Sequence, residues 1–157
     1  MKLRQLSTAV SLVAAVIAGS AVSTQAVAQA KEQFFPSLVY RTGAYAPNGV
    51  PFANGFADYL KLTNLRGGIN GVKVIYEECE TAYATDRGVE CYERLKGKNG
   101  GATVFQPLST GITFALTEKA PIDKIAVLTP GLGRSESQDG GVFKWNFPLA
   151  GDRKSVV

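Results

Sequence analysis

Apolar and polar positions along the chain follow two alternating periods. Short apolar runs bounded by glycine or proline predict strands at 37–42, 72–77, 103–105 and 125–128, and the alternating segment 142–147 predicts a fifth. Between these runs, apolar residues recur three or four positions apart, which is the spacing of one helix face. Strands that alternate with helices predict an α/β fold with a parallel, doubly wound sheet and helices on both faces.

The helical segments have recognisable starts and apolar faces. The first helix is predicted over 50–63, the second after a cap at Thr85 or Asp86 and through Lys96, and the third after Ser109 and Thr110. Each is expected to pack one face on the sheet. For the first helix that face is Phe52, Ala53, Phe56, Ala57, Tyr59, Leu60 and Thr63, and for the second it is Val89, Tyr92 and Leu95.

The segment 102–111 combines a buried strand, a tight polar bend and a helix start. The strand stops at Gln106 and Pro107, because proline has no N–H for a sheet. Ser109 and Thr110 then precede the helix, at the carboxyl end of a strand, where ligands bind in open α/β sheets. Hydroxyls and free N–H groups at a helix start suit a carboxylate. The alternative is that Ser109 or Thr110 only caps the helix.

Two further bends, 43–49 and 129–135, follow the first and fourth predicted strands. We expect all three bends to lie at one edge of the sheet, with Tyr45 as an aromatic wall. Such an edge suits a small amphipathic solute with a carboxylate. A core-facing or merely solvated Tyr45 is the alternative. The hypothesis requires Ser109 to be accessible at that edge.

The N-terminal segment predicts export from the cytoplasm. Lys2 and Arg4 precede an uncharged run, 8–21, and small residues follow up to Ala28 and Ala30, where cleavage is expected. We therefore predict a signal peptide over 1–30 and a periplasmic mature protein; the alternative, a membrane anchor, requires a longer and more apolar run. The lobe is expected over 31–149, and 150–157 is expected to be a truncation or artefact tail.

Composition excludes several functions. The chain has 17 basic and 13 acidic residues, too balanced to indicate a nucleic-acid partner. It has no histidine, so Ser-His-Asp and Cys-His catalysis are excluded and a metal site lacks ligands. The glycine-bearing segment 131–136 fails the dinucleotide fingerprint at its third glycine. The carboxylates at 77, 78 and 80 are expected to form a solvated rim. We predict no enzyme activity, no metal and no cofactor.

The two cysteines, Cys79 and Cys91, are interpreted through the compartment. In an oxidising environment they are most economically a disulfide. Free buried thiols are the alternative.

Four segments, 43–49, 67–71, 87–95 and 129–135, together resemble the periplasmic substrate-binding proteins of ABC transporters for branched-chain amino acids and related amides. The resemblance covers about 35–149 and implies the N-terminal lobe of a type I periplasmic-binding fold, with the second lobe missing. The bend at 129–135 departs from amino-acid binders, which favour small residues at 132–134. The ligand-binding residues that the resemblance implies are Tyr45, Ser109, Thr110, Thr129, Gly131, Leu132 and Gly133.

The function implied by this resemblance is solute capture. The protein is expected to bind branched-chain amino acids or related small amides or acids as a monomer and to deliver them to an ABC permease in the inner membrane. The alternative is the extracellular ligand-sensing module of a signalling receptor with the same fold. Because closure of such a cleft needs two lobes, we expect this chain alone to bind its solute weakly or not at all.

Overall fold

Strands and helices alternate throughout the part of the chain that this computed structural model describes, residues 31–129 and 139–149. The strands are β1 (Glu32–Val39), β2 (Lys73–Glu80), β3 (Val104–Phe105), β4 (Ala126–Thr129) and β5 (Asn146–Pro148). The helices are α1 (Ala46–Leu65), α2 (Thr85–Leu95), α3 (Thr110–Leu116) and α4 (Lys119–Asp123). The predicted signal peptide, the C-terminal tail and Gly131, Leu132 and Gly133 lie outside the described residues.

All paired strands run parallel. β1 pairs with β2, β3 with β4 and β4 with β5, while bridges from Phe34 to Ala102 and from Ser37 to Gln106 join β1 to β3. The resulting order is β2-β1-β3-β4-β5. Connections run in opposite directions on either side of the β1/β3 junction, which makes that junction the topological switch point where open α/β sheets bind ligands.

The main core lies between the sheet and α2, α3 and α4. Phe34 and Leu38 of β1 enter this core with the buried side chains of the three helices. Tyr92 of α2 is its largest fully buried side chain and lies 4.6 Å, ring to ring, from Phe105. α1 lies on the opposite face of the sheet, where the ring centroids of Phe56 and Tyr76 are 5.7 Å apart. The predicted α/β class, with helices on both faces of a parallel sheet, is therefore confirmed.

α1 is longer than predicted and buries only part of the predicted face. It begins at Ala46, with proline in its first turn, where the missing N–H costs nothing. Its buried residues are small: Gly49, Ala53 and Ala57, with Leu60. Phe52 and Tyr59, predicted to pack on the sheet, are 38% and 67% exposed, so that part of the prediction is wrong. At Gly49 no side chain fits, because α1 approaches Tyr40, the residue after β1, too closely there.

Several element boundaries also differ from prediction. β1 starts at Glu32 and includes Pro36, which the sequence pattern placed before the strand. β2 continues through Glu80, because its last residues pair with β1 up to Val39. The predicted third helix is divided into α3 and α4, and β5 is confined to Asn146–Pro148. The predicted caps of α2, Thr85 and Asp86, are wrong: its N-cap is Ala84, without a side-chain bond.

The cysteine prediction is confirmed. Cys79, near the end of β2, and Cys91, in α2, form a disulfide with a Cα–Cα distance of 5.9 Å. Both are buried in the main core. The bridge therefore fixes the end of β2 to the helix that follows it.

Candidate functional site

The bends after β1 and β2 are joined at the carboxyl edge of the sheet by one carboxylate. Glu80 accepts hydrogen bonds from the backbone N–H groups of Arg41 at 2.7 Å and Ala82 at 2.8 Å, and from the Thr42 hydroxyl at 3.1 Å. Burial alone would raise the pKa of Glu80, but these donors favour its charged form and the net effect is a lowered pKa. Glu80 therefore acts as a fixed anion that holds two bends together.

Three tyrosine rings stand on these two bends. Tyr45 is 52% exposed, and its ring centroid lies 4.3 Å from that of Tyr83. Tyr83 in turn meets Tyr40 edge to face at 4.9 Å. Burial first, and the neighbouring Tyr83 second, raise the pKa of Tyr40, so its phenol stays neutral. Tyr83 was missed by the sequence analysis; a β2 strand drawn through Glu80 would have placed it on a bend at the ligand edge.

The third bend follows β3 and starts α3 as predicted. Ser109 is the N-cap, and its hydroxyl accepts a hydrogen bond from the N–H of Ile112 at 3.4 Å. Its carbonyl accepts from both the N–H and the hydroxyl of Thr113. Ser109 is 1% exposed, because this inward-directed cap is buried with its neighbours Leu108 and Ile112. The expectation of an accessible Ser109 hydroxyl is therefore wrong, and the carboxylate cradle that depended on that hydroxyl is wrong with it; on the same bend Thr110 is half-buried and Gly111 exposed.

Gln106 opens the same bend with an unpaired donor. Its side-chain oxygen accepts a hydrogen bond from the hydroxyl of Ser37, across the β1/β3 junction. The side chain is 3% exposed, and its amide nitrogen has no hydrogen-bond partner among the residues that the structure describes. A buried donor left unpaired costs about 1–3 kcal/mol. The fold therefore tolerates the free-energy cost of an unpaired Gln106 amide at the switch point, beside the proposed ligand edge.

Thr129, the residue before the bend that follows β4, makes buried polar contacts. Thr129 ends β4, and its hydroxyl lies 3.3 Å from the Thr113 hydroxyl and 3.4 Å from the side-chain oxygen of Asn146. The side chain is buried, so it ties β4 to α3 and β5. The ligand roles predicted for Thr129, Gly131, Leu132 and Gly133 stay predictions.

Arg41 and Glu78 form an ion pair beneath the first bend. The Arg41 guanidinium donates to both carboxylate oxygens of Glu78, at 2.6 and 2.7 Å, and to the side-chain oxygen of Asn54 at 2.7 Å. The Tyr76 hydroxyl donates to the same carboxylate at 2.9 Å. Hydrogen bonding to Arg41 is the main cause that lowers the pKa of Glu78. The expected solvated rim of carboxylates is thus wrong for Glu78, which is paired and partly buried.

This ion pair predicts an acid-sensitive contribution to stability. The lowered pKa means that the contribution of Glu78 is fully present above its ordinary value of 4.5 and is lost as the pH falls through the folded value. We expect the wild-type free energy of unfolding to fall more steeply below pH 4.5 than that of Glu78→Gln. Urea unfolding between pH 3 and 7 measures both, with Glu90→Gln, exposed on α2, as control. Parallel curves for wild type and Glu78→Gln would contradict this.

The periplasmic binding protein family model matches residues 32–155. This chain belongs to that family. Curated proteins provide no match. Within the described residues, no helix has the length and apolar character needed to cross a membrane.

Solved structures support the assignment. One, described as an ABC transporter permease from the Pseudomonas fluorescens group, is 46% identical over 80% of this chain and 31% of its own, with a TM-score of 0.73. A branched-chain amino acid ABC transporter from Thermus thermophilus, with bound valine, is 19% identical over 78% of this chain and 32% of its own length, with a TM-score of 0.68. A solute-binding protein of an ABC transporter from Rhodopseudomonas palustris, in complex with 3,4-dihydroxybenzoic acid, is 15% identical over 78% of this chain and 32% of its own length, with a TM-score of 0.64.

The coverage defines what part of such a protein is present. This chain spans about a third of the length of the solved structures it matches. Together with the order β2-β1-β3-β4-β5, the matches identify a truncated part of a type I periplasmic-binding fold. The predicted family and fold are therefore confirmed.

Proposed function

We propose that this chain forms the N-terminal lobe of a periplasmic protein that captures a small solute with a carboxylate and delivers it to an ABC permease in the inner membrane. The observation that carries the proposal is the meeting of the bends after β1, β2 and β3 at one edge, on both sides of the switch point. Family membership supports solute binding rather than catalysis. The predicted signal peptide, 1–30, supports export.

The proposed solute is a branched-chain amino acid or a related small amide or acid. Relatives of this fold hold valine and 3,4-dihydroxybenzoic acid, and both molecules are small carboxylic acids. In this chain Thr110 and Gly111 supply the accessible part of the third bend, and Tyr45 supplies exposed aromatic surface. Ser109 and Thr129, being buried, act by fixing the backbone of their bends. Gly131, Leu132 and Gly133 complete the proposed contacts, and the protein is proposed to act as a monomer.

The test compares solute binding by the full-length gene product and by this chain alone. Titration calorimetry with valine, isoleucine and benzoate is expected to give a micromolar Kd for at least one acid with the full-length protein. The 157-residue chain is expected to bind at least about 100-fold more weakly, because the closed state needs both lobes. In the full-length protein, Thr110→Val should weaken binding about tenfold, the loss expected for one hydrogen bond to a charged group.

The matched control is Thr63→Val in α1, where the hydroxyl donates only to the carbonyl of Tyr59 within the same helix. This variant should bind like the wild type. Failure of the full-length protein to bind any of the acids would contradict the proposed function. An unchanged Kd for Thr110→Val would remove Thr110 from the site.

A further inference from the structure

The rings of Tyr40, Tyr45 and Tyr83, here called the tyrosine cluster, form one aromatic surface at the proposed ligand edge. Tyr45 and Tyr83 are tilted by 32° at 4.3 Å, and Tyr40 meets Tyr83 at 88°. None of the three belongs to the hydrophobic core cluster. Their rings therefore lie outside the main core, and Tyr45 presents half of its surface to solvent.

Tyr83 reaches the cluster through an unfavourable backbone conformation. Its φ is +66° and that of the preceding Ala82 is +50°, a region that residues other than glycine seldom adopt. Residues in such a conformation persist only where the surrounding structure holds them. The bend is held by specific bonds: the Tyr83 N–H donates to the Thr81 hydroxyl at 3.2 Å, and the Ala84 N–H donates to the Thr81 carbonyl at 2.9 Å.

The strained bend is also anchored where it leaves β2. Glu80 accepts from the Ala82 N–H, and the Thr81 hydroxyl donates to the carbonyl of Val39 in β1. The Cys79–Cys91 disulfide lies immediately before the bend. A fixed bend that holds a tyrosine at positive φ, where glycine would avoid the steric strain, favours a role for the ring itself at this edge.

The carboxylates beside the cluster are already engaged. Glu78 accepts from Arg41 and Tyr76, and Glu80 accepts from two backbone N–H groups and a threonine hydroxyl. An ammonium group next to the rings would have to compete with these donors for the carboxylate oxygens of Glu78 and Glu80. A solute that combines an aromatic ring with a carboxylate, and carries no ammonium, meets no such competition.

From this geometry we propose that Tyr83 is a specificity-determining ligand contact, and that the Tyr45–Tyr83 pair selects aromatic carboxylic acids over aliphatic amino acids. The inference rests on the proposed function and names the solute class of the same edge. Aromatic pairs in offset or edge-to-face geometry gain free energy beyond the burial of their area, and a planar solute extends the existing stack. An aliphatic side chain of similar size gains only the free energy of burying its surface.

The test uses the full-length gene product and three acids: benzoate, cyclohexanecarboxylate, which has the same carboxylate without an aromatic ring, and valine. Calorimetry is expected to show benzoate binding about tenfold more tightly than either other acid. Tyr83→Leu should remove about tenfold of the benzoate affinity and leave cyclohexanecarboxylate nearly unchanged. Tyr83→Phe, which keeps the ring, should stay within about threefold of the wild type. The matched control is Tyr59→Leu, on the exposed side of α1, and it should change nothing.

A second variant separates binding from folding. Tyr83→Gly relieves the positive φ that Tyr83→Leu retains, so its thermal unfolding midpoint should lie above that of Tyr83→Leu, yet its affinity for benzoate should fall as in Tyr83→Leu. If valine or cyclohexanecarboxylate binds as tightly as benzoate, or if Tyr83→Gly loses stability but no affinity, the inference is overturned and the proposed function stands. If the full-length protein binds none of the three acids and no branched-chain amino acid, the proposed function fails, and this inference fails with it.

Discussion

Replacing Gly49 by alanine is expected to destabilise the fold by about 3 kcal/mol, the upper part of the usual range for overpacking. A Cβ at this position would lie 2.0 Å from the carbonyl oxygen of Tyr40 and 2.3 Å from its ring. The conflict is with backbone, which cannot rotate away. Nor can β1 shift easily, because the Val39 carbonyl next to Tyr40 accepts the N–H of Thr81 at 2.8 Å.

Gly55→Ala is the matched control within the same helix. A Cβ at Gly55 meets nothing within 4 Å, so alanine there should stabilise the protein by about 0.5–1 kcal/mol through its higher helix propensity. Urea unfolding of both variants measures the contrast. Equal stabilities would show that α1 does not depend on its close approach to β1.

The same contact positions part of the candidate site. The first turn of α1 begins on the carbonyl of Tyr45, which accepts the N–H groups of Asn48 and Gly49 at 3.1 and 3.0 Å. A displacement of Gly49 from Tyr40 would therefore move the bend that carries Tyr45. In the full-length protein, loss of stability in Gly49→Ala should be accompanied by loss of solute affinity.

Several features that local sequence controls were predicted correctly, although the caps of α2 were not. Ser109 caps α3 because a hydroxyl before a helix can bond the N–H three residues later, and this depends on adjacent residues only. The pairing of Cys79 with Cys91 needed only the compartment and the absence of other cysteines. Strand and helix types were predicted for the same reason, since the two hydrophobic periods are local.

The parts that failed depend on contacts between distant segments. Phe52 and Tyr59 fit a helix face as well as the small residues do, but they are exposed, and the approach of Gly49 to Tyr40 is a contact that helical periodicity does not show. The acidic end of β2 has no apolar pattern; its extension through Glu80 follows from pairing with Val39. The burial of Ser109 likewise depends on packing around α3, which the bend sequence does not encode.

Tyr83 shows how a boundary error hides a functional residue. With β2 ending at 77, Tyr83 falls in the middle of a long loop and attracts no attention. With β2 ending at Glu80, it lies on the first bend beyond the strand, the position that the ligand rule for parallel sheets singles out. The boundary moved because β1 supplies hydrogen-bond partners for the last residues of β2.

Reduction of the Cys79–Cys91 disulfide is expected to lower the free energy of unfolding by about 2.5–3 kcal/mol, the value for closing a loop with a sequence separation of 12 in the unfolded chain. Urea unfolding of the oxidised protein with and without dithiothreitol measures this difference. The Cys79→Ala/Cys91→Ala double variant should match the reduced protein and should not respond to the reductant. A wild type that is unaffected by the reductant would contradict the expected effect.

The disulfide also links stability to the ligand edge. Cys79 is followed directly by Glu80, whose carboxylate accepts the N–H groups of Arg41, after β1, and Ala82, after β2. The bend after β2 then places Tyr83 at positive φ. Because a strained conformation persists only where its surroundings hold it, the first segment to relax after reduction should be 81–84. Hydrogen exchange should therefore show faster exchange of the Tyr83 and Ala84 amides in the reduced protein, with the amides of α1 unchanged. Uniform acceleration across both segments would mean that the bridge stabilises the lobe as a whole and not this bend.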